Sequence, residues 1–462
     1  MANRLVVVSN RVADPRKTAA GGLAVAMGDA LASSGGMWFG WSGQVIDPNN
    51  PPPSPGPSGV HVHKAGNVTL ATVDLTADDH QAYYLGYSNG VLWPVFHYRL
   101  DLADFEAGYI DGYRRVNRMF AHKLLPLLRD DDVIWVQDYH LIPLAAELRA
   151  LGCKQRIGFF LHIPLPPPQI LSAIPAHEWL MRALFAYDLV GVQSQTDLSH
   201  LHRYLASEAP AEEAADGRLL AYGRSLLAAS FPIGIDVDEF VEIGKGAEAR
   251  ELYGKMREQF AGKQLLVGVD RLDYSKGLPH RIRAFRHLLE RYPDNRGSST
   301  LVQVASPSRE DVEAYHEIRR ELEGLCGAIN GDYGDIDWVP IHYIHRTVAR
   351  KRLPGLFQAG RVALVTPLRD GMNLVAKEFI ASQDAADPGV LVLSRFAGAA
   401  EQFADALPVN PYDTQATAEA IQAALAMPLA ERQIRHQRML EQIRQFDVHW
   451  WRKSFLETLM ES

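Results

Sequence analysis

Residues 361–380 read RVALVTPLRDGMNLVAKEFI, and the chain is organised around them. Val362 to Val365 are apolar, favour strands and run for only a few residues, the pattern of a short buried strand. Thr366, Pro367 and Gly371 break that strand. A helix then starts at or beside Asn373, with Val375, Phe379 and Ile380 at apolar spacing. The intervening loop carries Arg369, Asp370 and Asn373, and Lys377 and Glu378 follow one turn on. A helix start offers backbone N–H groups and the positive end of a dipole, which suits an anion. A carboxylate beside it can accept hydrogen bonds from sugar hydroxyls. The segment therefore has the groups to grip a nucleotide diphosphate that carries a sugar. The plain alternative is an ordinary strand–helix turn with its polar side chains in water.

The rest of the chain repeats this alternation. Leu5 to Val8 predict a strand that ends in Ser9, Asn10 and Arg11, followed by Gly21-Gly22 and a helical run from Ala24 to Ser33. A helix is predicted from about Tyr113 to Leu128, with Val116, Phe120, Leu124 and Leu127 on its apolar face. The strands VIWV, IGFFL and DLVGV end in QDYH, HIP and QSQT. Residues 231–240, FPIGIDVDEF, close this block. A second block has strands LLVGV, TLVQVA, WVPIHYI, VALV and VLVL, separated by helical patterns. Strand–helix alternation predicts an α/β fold of two Rossmann-like parallel sheets covered by helices. The expected boundaries are 1–235, 236–447 and a closing helix, 448–462, that packs back on the first domain through Trp451, Phe455 and Leu459.

Composition narrows the class. The chain has 462 residues and a formal charge of −8, so it suits two domains and shows no basic excess for nucleic acid. Cys153 and Cys326 form neither a disulfide framework nor a zinc pattern. No run of about 18 apolar residues predicts a membrane span, and the start, MANRLVVVSNR, does not read as a signal peptide. The expectation is a reduced cytoplasmic protein. Residues 48–59, PNNPPPSPGPSG, read as a surface insertion.

Polar groups collect just after strands, where open parallel sheets bind ligands, and two such rims on one cleft would suit two substrates. In VDRLDYSKG, residues 269–277, Arg271 and Lys276 can converge on a diphosphate; an ion pair of Arg271 with Asp273 is the alternative. Neither a P-loop nor a GxGxxG fingerprint is present. Asp138 and His140 can orient a hydroxyl or serve as turn residues, and His162, after an apolar run and before a proline, reads by itself as a satisfied buried histidine. Arg309 can bind phosphate or form an ion pair near a helix start. Asp236–Asp238 and Asp335–Asp337 have the DxD spacing of metal-dependent transferases, a short motif that recurs by chance; no metal site is expected.

Taken together, the strings LVVVSNR, GGLA, WFGWSG, VLWPVFHYRLD, WVQDYHL, RIGFFLHIPLP, RLDYSKGL, VTPLRDGMNLVAKEF and VLVLSRFAGAA resemble the trehalose-6-phosphate synthases nearly end to end. These are retaining glucosyltransferases of the GT-B type. The resemblance implies transfer of glucose from UDP-glucose, or another nucleotide-glucose, to glucose 6-phosphate. It implies that Arg271 and Lys276 hold the donor diphosphate and that the backbone at Leu374 and Val375 caps it. Glu378 would take the ribose hydroxyls and Val348 would meet the base. Gly21 and Gly22 would close over the donor, with Gly371, Met372 and Asn373 beside it. Asp370 and His162 would bind the donor glucose. Arg11, Tyr84 and Arg309 would clamp the acceptor phosphate, while Trp41, Trp93 and Asp138 shape the acceptor site. The catalytic set it implies is Asp138, His162, Arg271, Lys276 and Asp370.

The family is described by front-face attack, in which the departing phosphate takes the proton of the incoming hydroxyl, with no cofactor and no metal. Gln137 departs from the pattern, which has His there. No phosphatase segment follows the synthase motifs, so a separate phosphatase is expected downstream. Oligomeric state is not legible, and a homo-oligomer is allowed. The competing readings are a transferase for glycerol 3-phosphate or a cyclitol phosphate, and a non-catalytic sugar-phosphate sensor. A pyridoxal-phosphate phosphorylase shares this fold, but no lysine is singled out for a Schiff base.

Overall fold

Two sheets, each with its own helices, emerge in the computed structural model, which describes residues 3–13, 27–28, 31, 35–47, 59–209, 211–309 and 312–462. The chain divides into two compact units. Unit 1 is Met1–Pro232 with Trp451–Ser462, and unit 2 is Ile233–Trp450. Gly21, Gly22, the run from Ala24 to Ser33 save for three positions, and nearly all of the Pro-rich insertion lie outside the described residues.

The strands of unit 1 are β1 (Arg4–Arg11), β2 (Gly36–Ile46), β3 (His61–Ala65), β4 (Val68–Thr76), β5 (Asp132–Gln137), β6 (Arg156–Phe160), β7 (Leu189–Val192), β8 (Glu212–Glu213), β9 (Leu219–Ala221) and β10 (Arg224–Ser230). Among the described residues their order is β3-β4-β2-β1-β5-β6-β7-β10-β9-β8. From β4 to β10 every pairing is parallel, and antiparallel strands close both edges. Val6, Val7 and Val8 are fully buried, as befits an inner strand covered on both faces.

Unit 2 carries β11 (Gln264–Arg271), β12 (Ser299–Ser306), β13 (Ile341–Ile344), β14 (Val362–Val365), β15 (Val390–Ser394) and β16 (Leu407–Val409). Its described strands are all parallel, in the order β13-β12-β11-β14-β15-β16. This is the doubly wound arrangement, in which the strand order reverses between β11 and β14 and ligands bind beyond the strand ends at that point. In unit 1 the equivalent reversal lies between β1 and β5.

The helices that bear on the site are α1 (Ala107–Leu124), α2 (Val237–Gly244), α3 (Leu278–Arg291), α4 (Glu313–Tyr333), α5 (Leu374–Ser382) and α6 (Val448–Glu461). Helix α1 starts before Tyr113 and stops at Leu124, short of the expected Leu128, because Pro126 tightens Leu125–Leu127 into a 3-10 turn. The expected strand over 338–344 shrinks to β13, since Trp338 turns back on Asp335. The aromatic stretch His80–Leu92 is a π-helix that runs on into Trp93–Phe96.

Trp451, Phe455 and Leu459 on α6 are fully buried within unit 1. Phe455 stacks on Trp135 at 4.9 Å and meets Phe160 and Phe231 edge-on. Gly158 and Gly191 make room for it: a Cβ at either would stand 2.8 Å from the Phe455 ring. Burial of Phe455 and of Leu459 stabilises the unit by about 1.5–3 kcal/mol each.

Candidate active site

At the reversal point of unit 2, two loops are drawn together. Lys276, at the end of the loop after β11, places Nζ 2.5 Å from Oδ2 of Asp370, in the loop after β14. Asn373 Nδ2 donates to the same carboxylate oxygen at 3.0 Å. Asn373 also caps α5, its Oδ1 accepting from Ala376 N at 3.3 Å. Backbone contact reinforces the pairing, since Leu368 N donates to Ser275 O at 2.7 Å. Gly277 sits at φ +66, and a Cβ there would come 2.5 Å from Thr366 O, so the close approach needs glycine.

A third loop supports these two. Asp370 N donates to Phe396 O and Ala399 N to Met372 O, tying the segment to the residues after β15. Beneath, Arg281 on α3 is fully buried. It donates to Asp270 at 2.5 Å, Gln303 at 3.0 Å and Thr366 at 3.0 Å, and so ties β11, β12 and the residue after β14 together. Burial pushes the Asp270 carboxyl up while Arg281 draws it down.

Most of the other residues expected at the donor belong to unit 2. Gly371, Met372, Leu374 and Val375 form the turn into α5, and Arg271 is exposed at the end of β11. Glu378 is half-buried one turn into α5; burial raises its carboxyl to about 7, opposed by Arg350. Val348 is half-buried in the loop that also holds Arg350, and Arg350 makes a two-pronged pair with Glu239 at 2.9 and 2.7 Å. Lys377, noted in the sequence but given no role there, is buried. It donates to Ile233 O and Gln402 Oε1, both at 2.7 Å, and burial pushes its amine down to about 7.

Unit 1 gathers a second set. Arg11 ends β1, its guanidinium carbon 5.9 Å from the Trp41 ring centroid. Trp41 lies 5.5 Å from Tyr84, and Tyr84 stacks on His140 at 6.0 Å. Trp93 lies 5.8 Å from Tyr139. Asp138, between Gln137 and Tyr139, has φ 74 and accepts the His162 backbone N–H at 3.1 Å. The His162 ring has partners on both nitrogens: Gln137 Oε1 at 2.9 Å and Gln193 Nε2 at 3.3 Å. Burial pushes that imidazole down to about 3. The sequence reading noted Gln137 only as a departure and gave Gln193 no role.

Arg309 is the expected acceptor residue that comes from the second half of the chain. It lies in unit 2, after β12, and its Nη1 donates to Tyr315 OH at 2.7 Å and to Asp273 Oδ2 at 3.3 Å. Tyr315 OH donates in turn to Asp273 at 2.9 Å, and Asp273 Oδ1 accepts from Ser275 N. Five described residues other than glycine have positive φ, and Asp138, Arg309 and Asn373 are three of them. Such strain is held where the surroundings over-determine it, commonly at functional sites. Asp236 of the first DxD caps α2 and pairs with His449 at 3.0 Å, while Asp335 of the second accepts from Ile336 N. Among the described residues no three His, Cys, Asp or Glu side chains gather as a metal set.

Two doubly wound sheets, with cationic and carboxylate side chains on loops at a reversal point, are the architecture of a GT-B-type glycosyltransferase. The family model described as Glycosyltransferase family 20 matches residues 3–461, and the chain belongs to that family. The trehalose-6-phosphate synthase of Sinorhizobium fredii is 49% identical over 464 residues, covering 100% of this chain and 99% of the relative. A solved alpha,alpha-trehalose-phosphate synthase (UDP-forming) from Burkholderia xenovorans, in complex with glucose-6-phosphate, is 50% identical with a TM-score of 0.93. That match covers 99% of this chain and 100% of the other. The E. coli protein bound with UDP-2-fluoro glucose is 46% identical with a TM-score of 0.93, covering 99% of this chain and 98% of the other. Among the described residues no helix is long and apolar enough to cross a membrane.

Proposed function

We propose that this protein transfers glucose from UDP-glucose to glucose 6-phosphate with retention, forming α,α-trehalose 6-phosphate and UDP. The observation that carries the chemistry is the Lys276–Asp370–Asn373 cluster at the reversal point of unit 2, at the start of α5. It puts a fixed cation, a carboxylate and a helix N-terminus at one place, the needs of a sugar diphosphate. Homology over the whole chain to synthases solved with glucose-6-phosphate and with a UDP-glucose analogue supports the two substrates.

In this reading unit 2 holds the donor. Arg271, Lys276 and the N–H groups at Leu374 and Val375 take the diphosphate, Glu378 the ribose, Val348 the base and Asp370 the glucose. In the same reading His162 takes a glucose hydroxyl. The acceptor groups are Arg11, Tyr84 and Arg309 for the phosphate, with Trp41, Trp93 and Asp138 around the sugar. Lys276 and the helix start stabilise the charge that builds on the departing diphosphate, and that phosphate takes the proton of the attacking hydroxyl. Cationic side chains meet the leaving group's charge, so the reaction needs no metal. The product keeps its phosphate, so a phosphatase reaction is the step that would consume it. The compartment of this reading is the cytoplasm.

A matrix of UDP-, ADP- and GDP-glucose against glucose 6-phosphate, glycerol 3-phosphate and a cyclitol phosphate, with the product identified and EDTA present, tests all of this. The expected result is trehalose 6-phosphate from UDP-glucose and glucose 6-phosphate, undiminished by EDTA. Turnover only with another acceptor, or none with any pair, overturns the assignment; loss with EDTA overturns the metal-free route.

A further inference from the structure

We propose that Gln137 is a positioning residue for donor-sugar binding. With Gln193 it holds His162 as the ring protonated on Nε2, so that Nδ1 is an acceptor which a sugar hydroxyl takes over from Gln193. This rests on the reading of His162 as a donor-sugar contact and adds how that contact is prepared.

The argument is one of hydrogen-bond capacity. A neutral imidazole has one donor and one acceptor nitrogen. Gln137 Oε1, 2.9 Å from Nε2, has only lone pairs to offer, so Nε2 must carry the hydrogen. Gln193 Nε2, 3.3 Å from Nδ1, has only hydrogens to offer, so Nδ1 must present a lone pair. The two amides therefore select the same tautomer, and a doubly protonated ring would set N–H against N–H at Gln193. The Gln193 bond is the longer and weaker, and it is the one a ligand hydroxyl can replace.

Sheet order makes the arrangement. Strands β5, β6 and β7 are neighbours, so Gln137 at the end of β5, His162 two residues past β6 and Gln193 just past β7 come side by side. Gln137 is fully buried and its Nε2 has no partner among the described residues, so its stated contact is the one to His162. Phe160 at 4.7 Å and Trp451 at 5.9 Å cover the ring. The titratable group bonded to His162 is Asp138, through the backbone N–H and not the ring. Burial lowers the His162 pKa, in keeping with a neutral ring. A glutamine at 137 does not titrate, so the selected tautomer holds across the working pH range, which a histidine at that place would not guarantee.

The test uses the full chain labelled with ¹⁵N-histidine. Long-range ¹H–¹⁵N correlations report the tautomer, and the His162 signals are those lost in His162→Gln. The expected pattern is Nε2–H, unchanged from about pH 5.5 to 8. An Nδ1–H pattern, or titration in that range, overturns the proposal. Gln137→Met keeps the length and removes the acceptor. It should mix the tautomers and raise KM for UDP-glucose about fivefold to tenfold, with KM for glucose 6-phosphate unchanged. Gln137→Glu restores the acceptor and with it the Nε2–H signal. Its charge also raises the ring pKa, so donor KM should worsen as pH falls, which the wild type does not show.

His162→Ala separates the two levels. An unchanged donor KM in that variant sinks the donor-contact reading and the proposal with it. A raised KM there, with neither tautomer nor KM altered by Gln137→Met, overturns the positioning role alone. If Gln137→Met does not fold, the wild-type tautomer decides.

Discussion

Lys276 Nζ and Asp370 Oδ2 stand 2.5 Å apart although 94 residues separate them in sequence. The pair joins the two loops that leave β11 and β14, the strands on either side of the reversal point. Both side chains are largely shielded, at 12% and 14% exposure, yet they lie on loops at the strand ends rather than in the sheet core. A cation held there by a carboxylate is fixed in place before any ligand arrives, which is what stabilisation of a developing charge requires.

Lys276→Ala should therefore lower kcat far more than it lowers stability, by about 10²–10³-fold, the usual loss when one preorganised electrostatic group is removed. Initial rates of UDP release, set beside thermal unfolding, check this. Lys276→Arg should recover only part of the loss, since a planar fork does not reproduce a point charge on Asp370. A Lys276→Ala variant with wild-type kcat would remove the cluster from the chemistry.

Asn373 has φ 78, caps α5 and bonds Asp370, so its replacement separates backbone strain from side-chain bonding. Asn373→Ala should destabilise the protein by about 1–3 kcal/mol, combining cap loss with a positive φ that alanine tolerates poorly. Asn373→Gly should cost less, because glycine accepts that backbone. Both should lower activity, having lost the bond to Asp370. Chemical denaturation ranks the stabilities, and alanine no worse than glycine would contradict the strain argument.

How much of this could be read from residues alone follows from the physics of each part. Inner parallel strands are buried on both faces and appear as short unbroken apolar runs, so β1, β5, β6, β11, β14 and β15 stand out in the sequence. Strand β3 mixes polar with apolar residues and β9 is only three residues long, which hides them, whereas β10 shows as the strand leading into Phe231. The π-helix His80–Leu92 was hidden for another reason: its side chains do not repeat at the helical period. Loop composition pointed to Lys276, Asp370 and Asn373 because polar residues after a strand are visible locally. The bonds of His162 to Gln137 and Gln193 were not visible, since only the order β5-β6-β7 brings those positions together. The particular partners of Arg309 were hidden in the same way, since Asp273 and Tyr315 become its neighbours only once β11, β12 and α4 are packed.

Helix α6 gives a prediction about packing. Phe455→Ala removes a fully buried ring wedged against Trp135, Phe160 and Phe231, and should cost about 3–5 kcal/mol. Gly191→Ala should destabilise by the opposite mechanism, since its Cβ would stand 2.7 Å from the Phe160 ring and 2.8 Å from Phe455. In the double variant Gly191→Ala with Phe455→Ala, the missing ring relieves part of the clash, so the two costs should sum to less than additive. Strict additivity in denaturant titrations would argue that α6 does not pack on β7 through these atoms.

Lys377 and Glu378 are neighbours on α5 with opposite pH signatures. Lys377 falls from its ordinary 10.5 to about 7 because burial disfavours the ammonium. Between those values the unfolded chain binds the proton and the folded protein does not, so stability from this group rises as pH climbs from about 7 to 10.5. Glu378 goes from 4.5 up to about 7 because burial disfavours the carboxylate. From 4.5 to about 7 the folded protein holds the proton and the unfolded chain does not, so stability from Glu378 falls as pH rises. The two together place a local minimum of their joint contribution near pH 7. Lys377→Met should remove the rise on the alkaline side, and Glu378→Gln should remove the fall on the acid side. Denaturant unfolding of both variants and the wild type, measured from about pH 4.5 to 10.5, reads these slopes as differences. Matching slopes in wild type and Lys377→Met above pH 7 would show that the Lys377 amine, bonded to Ile233 O and Gln402 Oε1, stays protonated in the folded protein.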